Sequence, residues 1–303
     1  MLRKSLLFLS ERDDLKKVLL KFPYAKMVAG RFVAGDTLAE AIPAARELND
    51  KGFRVTLDYL GESVSDRSEA EEATDIYVES LEVIDGSEAK STISLKPTQL
   101  GLDIDEEFCA ENVTRIVHRA AELGSFVRID MEDSDHTDST LRVFRQVFEQ
   151  HKNVGTVIQS YLYRSEEDVA ELVRLKAPIR LCKGAYDEPS SVAFPRKSDI
   201  DANYIKLMKM LLDGGTPTAI ATHDEAMIEA TREYVRERGI LPDDFEFQML
   251  YGVRRDYQAR LVSAGYHMRI YVPYGGQWYP YLMRRMAERP ANLFFVVRAA
   301  LGS

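Results

Sequence analysis

The sequence contains few cysteines and no long uninterrupted apolar run. Cys109 and Cys182 are the two cysteines of the 303-residue chain, too few for a disulfide framework, and no Cys/His spacing matches a zinc site. The apolar patch near the N-terminus ends after Leu9, too early for a signal peptide, and no stretch reaches the roughly 18 apolar residues of a membrane-spanning helix. We therefore expect a cytoplasmic protein that is at most peripheral at the inner face of the cytoplasmic membrane.

An excess of basic residues is also absent. The chain has 49 acidic and 40 basic residues, which gives a net charge of -9 and an isoelectric point near 5.3. This charge disfavours broad attraction to nucleic acid or to an acidic membrane, whereas a small anion can still bind a local basic cluster. We expect no nucleic-acid partner.

Short β-branched runs, typical of buried strands, recur eight times along the chain. They span residues 53–59, 91–96, 126–131, 155–161, 178–184, 218–223, 245–250 and 267–273. Apolar residues at helical spacing lie between them, for example Leu141, Phe144 and Phe148. This alternation of strand and helix predicts an α/β fold with a parallel sheet closed as a (β/α)8 TIM barrel. A doubly wound open sheet is the alternative architecture.

No linker rich in proline, glycine or serine divides the chain. We therefore predict a single catalytic domain over residues 1–303. Within it, residues 1–50 form an N-terminal helical segment, followed by Gly52 as a helix C-cap, and residues 51–303 form the barrel.

Polar or charged residues lie at or near the C-terminal end of nearly every predicted strand. Active sites of TIM barrels form at this end, where the strands meet the loops that precede the helices. We therefore expect the functional site there. The residues concerned are Asp58, Glu62, Lys96, Asp130, Glu132, Gln159, Arg180, Lys183, His223, Asp224, Gln248 and Tyr271.

Several of these residues also have a simpler structural interpretation. Lys96 could be an exposed loop lysine, Arg180 part of a buried structural ion pair, and His223 the cap of a helix that starts near Asp224. The acidic run at residues 131–139 lacks the spacing and the glycine of an EF-hand. It favours a solvated loop with helix caps over a metal site, and we expect no metal.

The last helix is predicted to begin near Pro280, because proline is favoured at the first helical position. Arg284 and Arg285 then fall on one polar stripe with Tyr281 and Glu288. The arginines either pair with Glu288 at a spacing of three or four residues, or face the barrel and bracket one carboxylate.

Seven stretches of this chain resemble blocks of the proline dehydrogenase family, in order over roughly residues 50–298. They are "LDYLGESV" (57–64), "SLKPTQLG" (94–101), "RIDMED" (128–133), "RLCKGAYDEP" (180–189), "ATHDE" (221–225), "FEFQMLYGVR" (245–254) and "RIYVPYGGQWYPYLMRRMAERPANLFFVVR" (269–298). The last block is highly specific. The length of the chain is similar to that of the monofunctional form of the enzyme.

The resemblance implies a distorted TIM barrel that holds FAD without a covalent link, with the last helix across the barrel mouth. It implies oxidation of L-proline to Δ1-pyrroline-5-carboxylate by hydride transfer from C5 to flavin N5, with a membrane quinone as acceptor and a pyrroline-5-carboxylate dehydrogenase as a further partner. The absence of a G-x-G-x-x-G motif fits a flavin bound at the barrel mouth and not on a Rossmann turn.

The resemblance also implies residue roles. Lys96, Arg284 and Arg285 would bind the substrate carboxylate, with Asp130 and Glu62 orienting them. Residues lining the slot for the pyrrolidine ring would be Tyr186, Leu250, Tyr271 and Tyr281. Arg180 and Gln159 would bind the flavin ring. Residues near its pyrophosphate and adenosine would be Lys183, Gly184, Ala185, Thr222, His223 and Asp224. Asp187 and Asp224 stand where some relatives carry Trp and Asn.

Two other functions remain open from the residues alone. A lysine at a strand end, Lys96 or Lys183, also suits a Schiff-base aldolase. The second alternative is a barrel that binds flavin or an amino acid without catalysis.

Overall fold

The computed structural model describes residues 30–61 and 63–288. The prediction of a helical segment for residues 1–29 lies outside the described residues, as does the role predicted for Glu62. The side chains of Arg284, Arg285 and Glu288 also lie outside them.

The strands form a closed barrel in which each strand pairs in parallel with its neighbour in sequence and the last pairs with the first. This confirms the predicted TIM barrel, and the open-sheet alternative is wrong. All eight strands lie within two residues of the predicted bounds at both ends. They are β1 (Arg54–Tyr59), β2 (Ser91–Leu95), β3 (Val127–Ile129), β4 (Val154–Gln159), β5 (Ile179–Cys182), β6 (Thr218–Ala221), β7 (Phe245–Leu250) and β8 (Met268–Tyr274).

Helices alternate with these strands along the described chain. They are α1 (Leu38–Asp50), α2 (Arg67–Asp85), α3 (Glu106–Glu122), α4 (Thr137–Gln150), α5 (Ser165–Arg174), α6 (Lys197–Asp213), α7 (Glu225–Arg238), α8 (Arg255–Ser263) and α9 (Trp278–Glu288). Short 3-10 turns span Pro97–Leu100, Ser134–His136 and Pro242–Asp244.

The strands bury apolar side chains on the face that packs against the helices. In β1, Val55 and Leu57 are at most 1% exposed and belong to a continuous apolar core shared by the strands and the surrounding helices. Because side chains alternate along a strand, Thr56 and Asp58 point to the other face, into the barrel. Their residue type is the first sign that the interior is polar.

Charged side chains form a layer inside the barrel near the N-terminal ends of the strands. Arg269 donates to both carboxylate oxygens of Glu246 at 2.6 and 3.1 Å, and Arg54 donates to Glu246 at 3.1 Å. Arg128 instead donates to the backbone carbonyls of Thr156 and Pro178 at 2.9 and 2.7 Å. The layer therefore has three cations for one carboxylate.

Helix α1 corrects the expected extent of the N-terminal helical segment. Residues 30–37 are not helical, so the described helix begins at Leu38. Lys51 is the C-cap, and Gly52 follows with a φ of 82°, a left-handed conformation that favours glycine.

Helix α9 also differs from the prediction, because it begins at Trp278 and not near Pro280. Pro280 lies in the first turn. Its missing N–H costs nothing there, since the first N–H groups of a helix have no partner within the helix.

Candidate active site at the C-terminal end of the barrel

Arg180 of β5 is the centre of the site. Its Nη1 donates to Asp130 Oδ1 at 2.6 Å, its Nε to Gln248 Oε1 at 2.6 Å and its Nη2 to Ser94 Oγ at 3.1 Å. These partners belong to β2, to β7 and to the residue after β3, so the side chain must cross the interior of the barrel. It is 6% exposed and held on three sides. The buried ion pair considered from the sequence is present, and it lies within the site.

Asp130 joins Arg180 to Tyr271. The second oxygen of Asp130 accepts a 2.8 Å hydrogen bond from the Tyr271 hydroxyl, and the Arg180 guanidinium lies 5.2 Å from the centre of the Tyr271 ring. Burial, followed by the charge of Asp130, raises the pKa of Tyr271 well above its usual value. Tyr271 therefore stays protonated and serves as a hydrogen-bond donor.

Lys96 is held by Asp58 and is not an exposed loop lysine. Its Nζ lies 2.9 and 3.1 Å from the two oxygens of Asp58, and its side chain is 12% exposed. Burial raises the pKa of Asp58, although the charge of Lys96 opposes the shift. This pair places an ammonium group at the top of β2, beside the 3-10 turn that starts at Pro97.

Gln159, the last residue of β4, presents a buried acceptor. Its Nε2 donates to the backbone carbonyls of Met131 and Glu132 at 3.3 and 3.0 Å. Its Oε1 is buried and has no hydrogen-bond partner among the described residues. A buried polar atom without a partner costs about 1 to 3 kcal/mol, so this oxygen indicates a ligand that donates a hydrogen bond.

Glu132 has a structural role beside Gln159. It is 4% exposed and accepts hydrogen bonds from Thr98 N and Thr98 Oγ1 at 3.0 and 2.6 Å. It therefore fastens the residues after β3 to the 3-10 turn after Lys96.

Lys183 lies between two carboxylates. It forms ion pairs with Asp201 and, at 2.7 Å, with Asp224. Lys197 contacts the same two aspartates, and its Nζ is 3.0 Å from Asp224. Burial raises the pKa of Asp224, but hydrogen bonds from Lys183 and Lys197 outweigh burial and lower the pKa to about 2. The cluster contains two positive and two negative charges.

His223 connects the region predicted for the cofactor to the region predicted for the substrate. Its Nε2 accepts a 2.9 Å hydrogen bond from the backbone N–H of Leu250, so this nitrogen carries no proton. The cap of α7 is Asp224, whose side chain accepts from Ala226 N at 3.1 Å, and the interpretation of His223 as the cap is wrong.

The remaining predicted site residues that the structure describes lie at or after the C-terminal ends of strands, or in α9, which comes after β8. Tyr281 is 7% exposed in α9, while Tyr186 and Leu250 are half-buried in the residues that follow β5 and at the end of β7. Gly184, Ala185 and Thr222 follow β5 and β6 directly.

Sequence analysis placed Asp58 and Gln248 at the site without giving them a role, and it did not single out Ser94. Ser94 and Gln248 hold Arg180, and Asp58 holds Lys96. Each lies two residues from another inward-facing polar residue on its own strand. Alternation along the strands was the available signal, because polar residues on the inner face of a barrel must bond to one another.

Comparisons with known proteins agree with the resemblance found in the sequence. Residues 41–298 match the family model described as proline dehydrogenase. Proline dehydrogenase 2 of Bacillus subtilis is 44% identical over 296 residues, which covers 98% of this chain and 97% of that protein. The proline dehydrogenase of Deinococcus radiodurans is 41% identical over 304 residues, with 99% and 97% coverage.

A solved structure has the same fold. Proline utilization A of Bdellovibrio bacteriovorus, inactivated by N-propargylglycine, matches with a TM-score of 0.83 at 27% identity, over 92% of this chain and 34% of that one. This chain therefore spans about a third of that protein. The curated relatives cited above are oxidoreductases similar over nearly their whole length. From the family model and these identities, we conclude that this chain belongs to the proline dehydrogenase family.

Proposed function

We propose that this enzyme oxidises L-proline to Δ1-pyrroline-5-carboxylate with FAD as its cofactor and passes the electrons to a membrane quinone. Oxidation of proline follows from the family, which is flavin-dependent. One observation supports the finer proposal. The C-terminal end of the barrel presents both a fixed guanidinium, that of Arg180, and a buried hydrogen-bond acceptor, that of Gln159.

The donor and acceptor groups present suit a flavin ring. The ring has an imide N–H that can donate a hydrogen bond to the Gln159 oxygen. Its carbonyl oxygens and ring nitrogens can accept hydrogen bonds from the protein. An arginine has five N–H groups, of which the described residues engage three on Arg180. The other two can donate to a ligand. Their positive charge favours a ring that becomes negatively charged as it is reduced.

A bound flavin would supply the acceptor for the hydride that leaves C5 of proline. The residues of the chain bind and orient the substrate. Lys96, together with Arg284 and Arg285, is proposed to bind the carboxylate, with Glu62 and Asp130 orienting these cations. Proline must present an uncharged amine, and solvent can remove its proton. Catalysis is then mainly positioning and electrostatics.

The slot for the pyrrolidine ring is proposed to be lined by Tyr186, Leu250, Tyr271 and Tyr281. Tyr271 has one fixed orientation, because its hydroxyl donates to Asp130 at 2.8 Å. Its aromatic face can therefore pack against the substrate while its polar end stays satisfied.

The phosphate end of FAD is proposed to lie near Lys183, Thr222 and His223, with Gly184, Ala185 and Asp224 beside it. Lys183 supplies a positive charge for the phosphates, and its ion pairs with Asp201 and Asp224 partly offset the attraction of that charge. We expect this region to contribute less attraction than an unpaired lysine would.

A Schiff-base aldolase is not supported by the contacts of the two candidate lysines. A Schiff base requires a neutral amine, which desolvation or a neighbouring cation produces. Lys96 is paired with Asp58, and Lys183 with Asp201 and Asp224. The groups that engage each amine in these ion pairs are therefore carboxylates and not a neighbouring cation.

Transfer of electrons to a quinone implies contact with a membrane surface. Among the described residues no helix has both the length and the apolar character needed to cross a membrane. We propose peripheral contact at the inner face of the cytoplasmic membrane, and a pyrroline-5-carboxylate dehydrogenase as the enzyme that takes up the product.

The test is an anaerobic absorption spectrum of the purified protein before and after addition of L-proline. We expect a flavin spectrum that bleaches with L-proline and returns with a soluble quinone. A colourless protein, or a flavin spectrum that L-proline leaves unchanged, would contradict the proposal.

A further inference from the structure

Glu188 lies in the connection between β5 and α6, residues 183–196, which we call the β5–α6 loop. This loop also carries Gly184, Ala185 and Tyr186, which the proposed function places beside the cofactor and substrate. We propose that Glu188 is a positioning residue that clamps the β5–α6 loop to two neighbouring loops and thereby holds Gly184 to Tyr186 in their binding positions. This inference rests on the proposed function.

The carboxylate of Glu188 receives hydrogen bonds from two other βα connections. Its Oε1 accepts from Ser134 N at 2.7 Å and from the Tyr161 hydroxyl at 3.2 Å, and its Oε2 accepts from Ser134 Oγ. Ser134 follows β3, and Tyr161 follows β4. The donors are all uncharged, so the bonds orient the carboxylate without an ion pair. Charge-assisted bonds of this kind are about twice as strong as neutral ones.

Tyr161 attaches the two ends of the same loop. Its N–H donates to the carbonyl of Lys183 at 2.9 Å, and its carbonyl accepts from Phe194 N at 2.8 Å. Its ring also packs on Gly184, whose φ is 108°, and a Cβ at Gly184 would overlap that ring. Backbone bonds therefore hold the ends of the loop, Tyr163 donates to Ser190 and Val192 in its second half, and Glu188 adds a side-chain attachment close to Tyr186.

The position of Ser134 explains how the clamp can affect substrate binding. Ser134 is four residues after Asp130, which holds Arg180 and Tyr271. Glu188 is two residues after Tyr186. The clamp therefore fixes the distance between the Asp130 side of the site and the Tyr186 side. A loop that spends less time in its binding position binds its ligands more weakly, in proportion to the lost population.

The clamp can be tested with Glu188→Ala and Glu188→Gln, with Glu167→Gln as the matched control. Glu167 is an exposed carboxylate on α5. We expect Glu188→Ala to raise both the dissociation constant of FAD and the KM for proline about 10-fold, because charge-assisted bonds are lost. The kcat measured with saturating FAD and proline should change less than about 2-fold, because no group near the reacting atoms is removed.

Glu188→Gln should keep the dissociation constant of FAD and the KM for proline close to the wild-type values. The amide oxygen can still accept from Ser134 N and Tyr161, and the amide nitrogen can donate to Ser134 Oγ. Adding Ser134→Ala to Glu188→Ala should cause little further loss, because Glu188→Ala already removes the one bond of Ser134 Oγ to Glu188. A lower melting temperature in Glu188→Ala with FAD affinity and KM unchanged would mean that Glu188 serves stability alone, and it would overturn the inference.

A readout that needs no flavin separates this inference from the proposed function. Chymotrypsin can cleave after Tyr186, inside the β5–α6 loop, in protein freed of cofactor. We expect Glu188→Ala to be cleaved there about 10-fold faster than the Glu167→Gln control, since proteolysis follows the population of the opened loop. Equal cleavage would contradict the clamp. A wild-type protein that binds no flavin would contradict the proposed function while leaving the cleavage result to decide on the clamp.

Discussion

Asp130 accepts one hydrogen bond from Arg180 at 2.6 Å and another, on its other oxygen, from Tyr271 at 2.8 Å. One carboxylate therefore orients both the proposed flavin-binding cation and the proposed wall of the substrate slot. Neither partner can move without disturbing the other. The predictions below concern this group and the charged clusters around it.

Arg180→Met should lower kcat about 100- to 1000-fold while changing the affinity for proline much less. A cation beside the flavin acts mainly as negative charge develops in the transition state. The measurement is steady-state kinetics on flavin-loaded protein. Arg174→Met is the control, because Arg174 is exposed at the end of α5. Normal turnover in Arg180→Met with intact flavin would remove the residue from this role.

Arg284→Met and Arg285→Met should each raise the KM for proline about 10- to 150-fold, since each removes a bond of about 1.5 to 3 kcal/mol to the carboxylate. Glu288→Gln is the comparison. If the arginines serve only Glu288, all three variants will show a small loss of stability and an unchanged KM. That outcome would exclude the carboxylate clamp.

Asp224→Asn should tighten FAD binding about 3- to 10-fold, because Lys183 keeps a larger share of its charge for the pyrophosphate. Asparagine remains a good N-cap, so the bond to Ala226 N is retained. The measurement is equilibrium dialysis at low and high salt, with the gain expected mainly at low salt. Asp256→Asn, at an exposed position of α8, is the control. An affinity that stays the same in both variants would show that Lys183 does not meet the phosphates.

His136 should stabilise the fold at acidic pH and not at alkaline pH. Its two ring nitrogens lie 2.6 Å from Asp103 and from Asp133. Burial lowers its pKa, but these hydrogen bonds outweigh burial and raise the pKa above its usual value. A raised folded pKa contributes stability that is full below the unfolded pKa and lost as pH rises through the folded one.

Urea denaturation of His136→Gln at about pH 5.5 and about pH 9 checks this linkage, with His118→Gln as an exposed control. We expect a loss of about 1 kcal/mol or less at the lower pH, since the pairs are partly exposed and screened. At the higher pH the loss should nearly vanish. A pH-independent loss would assign His136 to packing.

The barrel itself was predictable because its strands are buried on both faces. Their β-branched runs, such as 245–250 in β7, stand out from the helical spacing between them, and β7 matches that range. The prediction was less good for β3, which ends at Ile129, before the inward-facing Asp130. The end of a strand depends on its pairing with neighbours, which a single sequence does not contain.

The partners within the site were harder to predict than its members. Strand alternation places Lys96 and Asp58 on the inner face, but their pairing depends on the stagger between β1 and β2. The hydrogen bond that Ser134 N donates to Glu188 joins positions 54 residues apart and depends on the paths of two loops. Loop paths follow from tertiary packing and have no periodic signal in the sequence.

The ionic layer at the N-terminal end of the barrel places a local excess of positive charge inside an acidic protein. Arg54 and Arg269 contact Glu246 there and Arg128 is bonded to backbone carbonyls, whereas the chain as a whole carries a net charge of -9. Exposed charges are screened beyond about 8 Å at physiological salt, whereas charges inside a barrel are screened less and favour anions near its axis. A zwitterionic amino acid has no net charge and approaches without electrostatic resistance. We expect the excess positive charge of this layer to favour an orientation in which the ligand's carboxylate points towards the barrel axis.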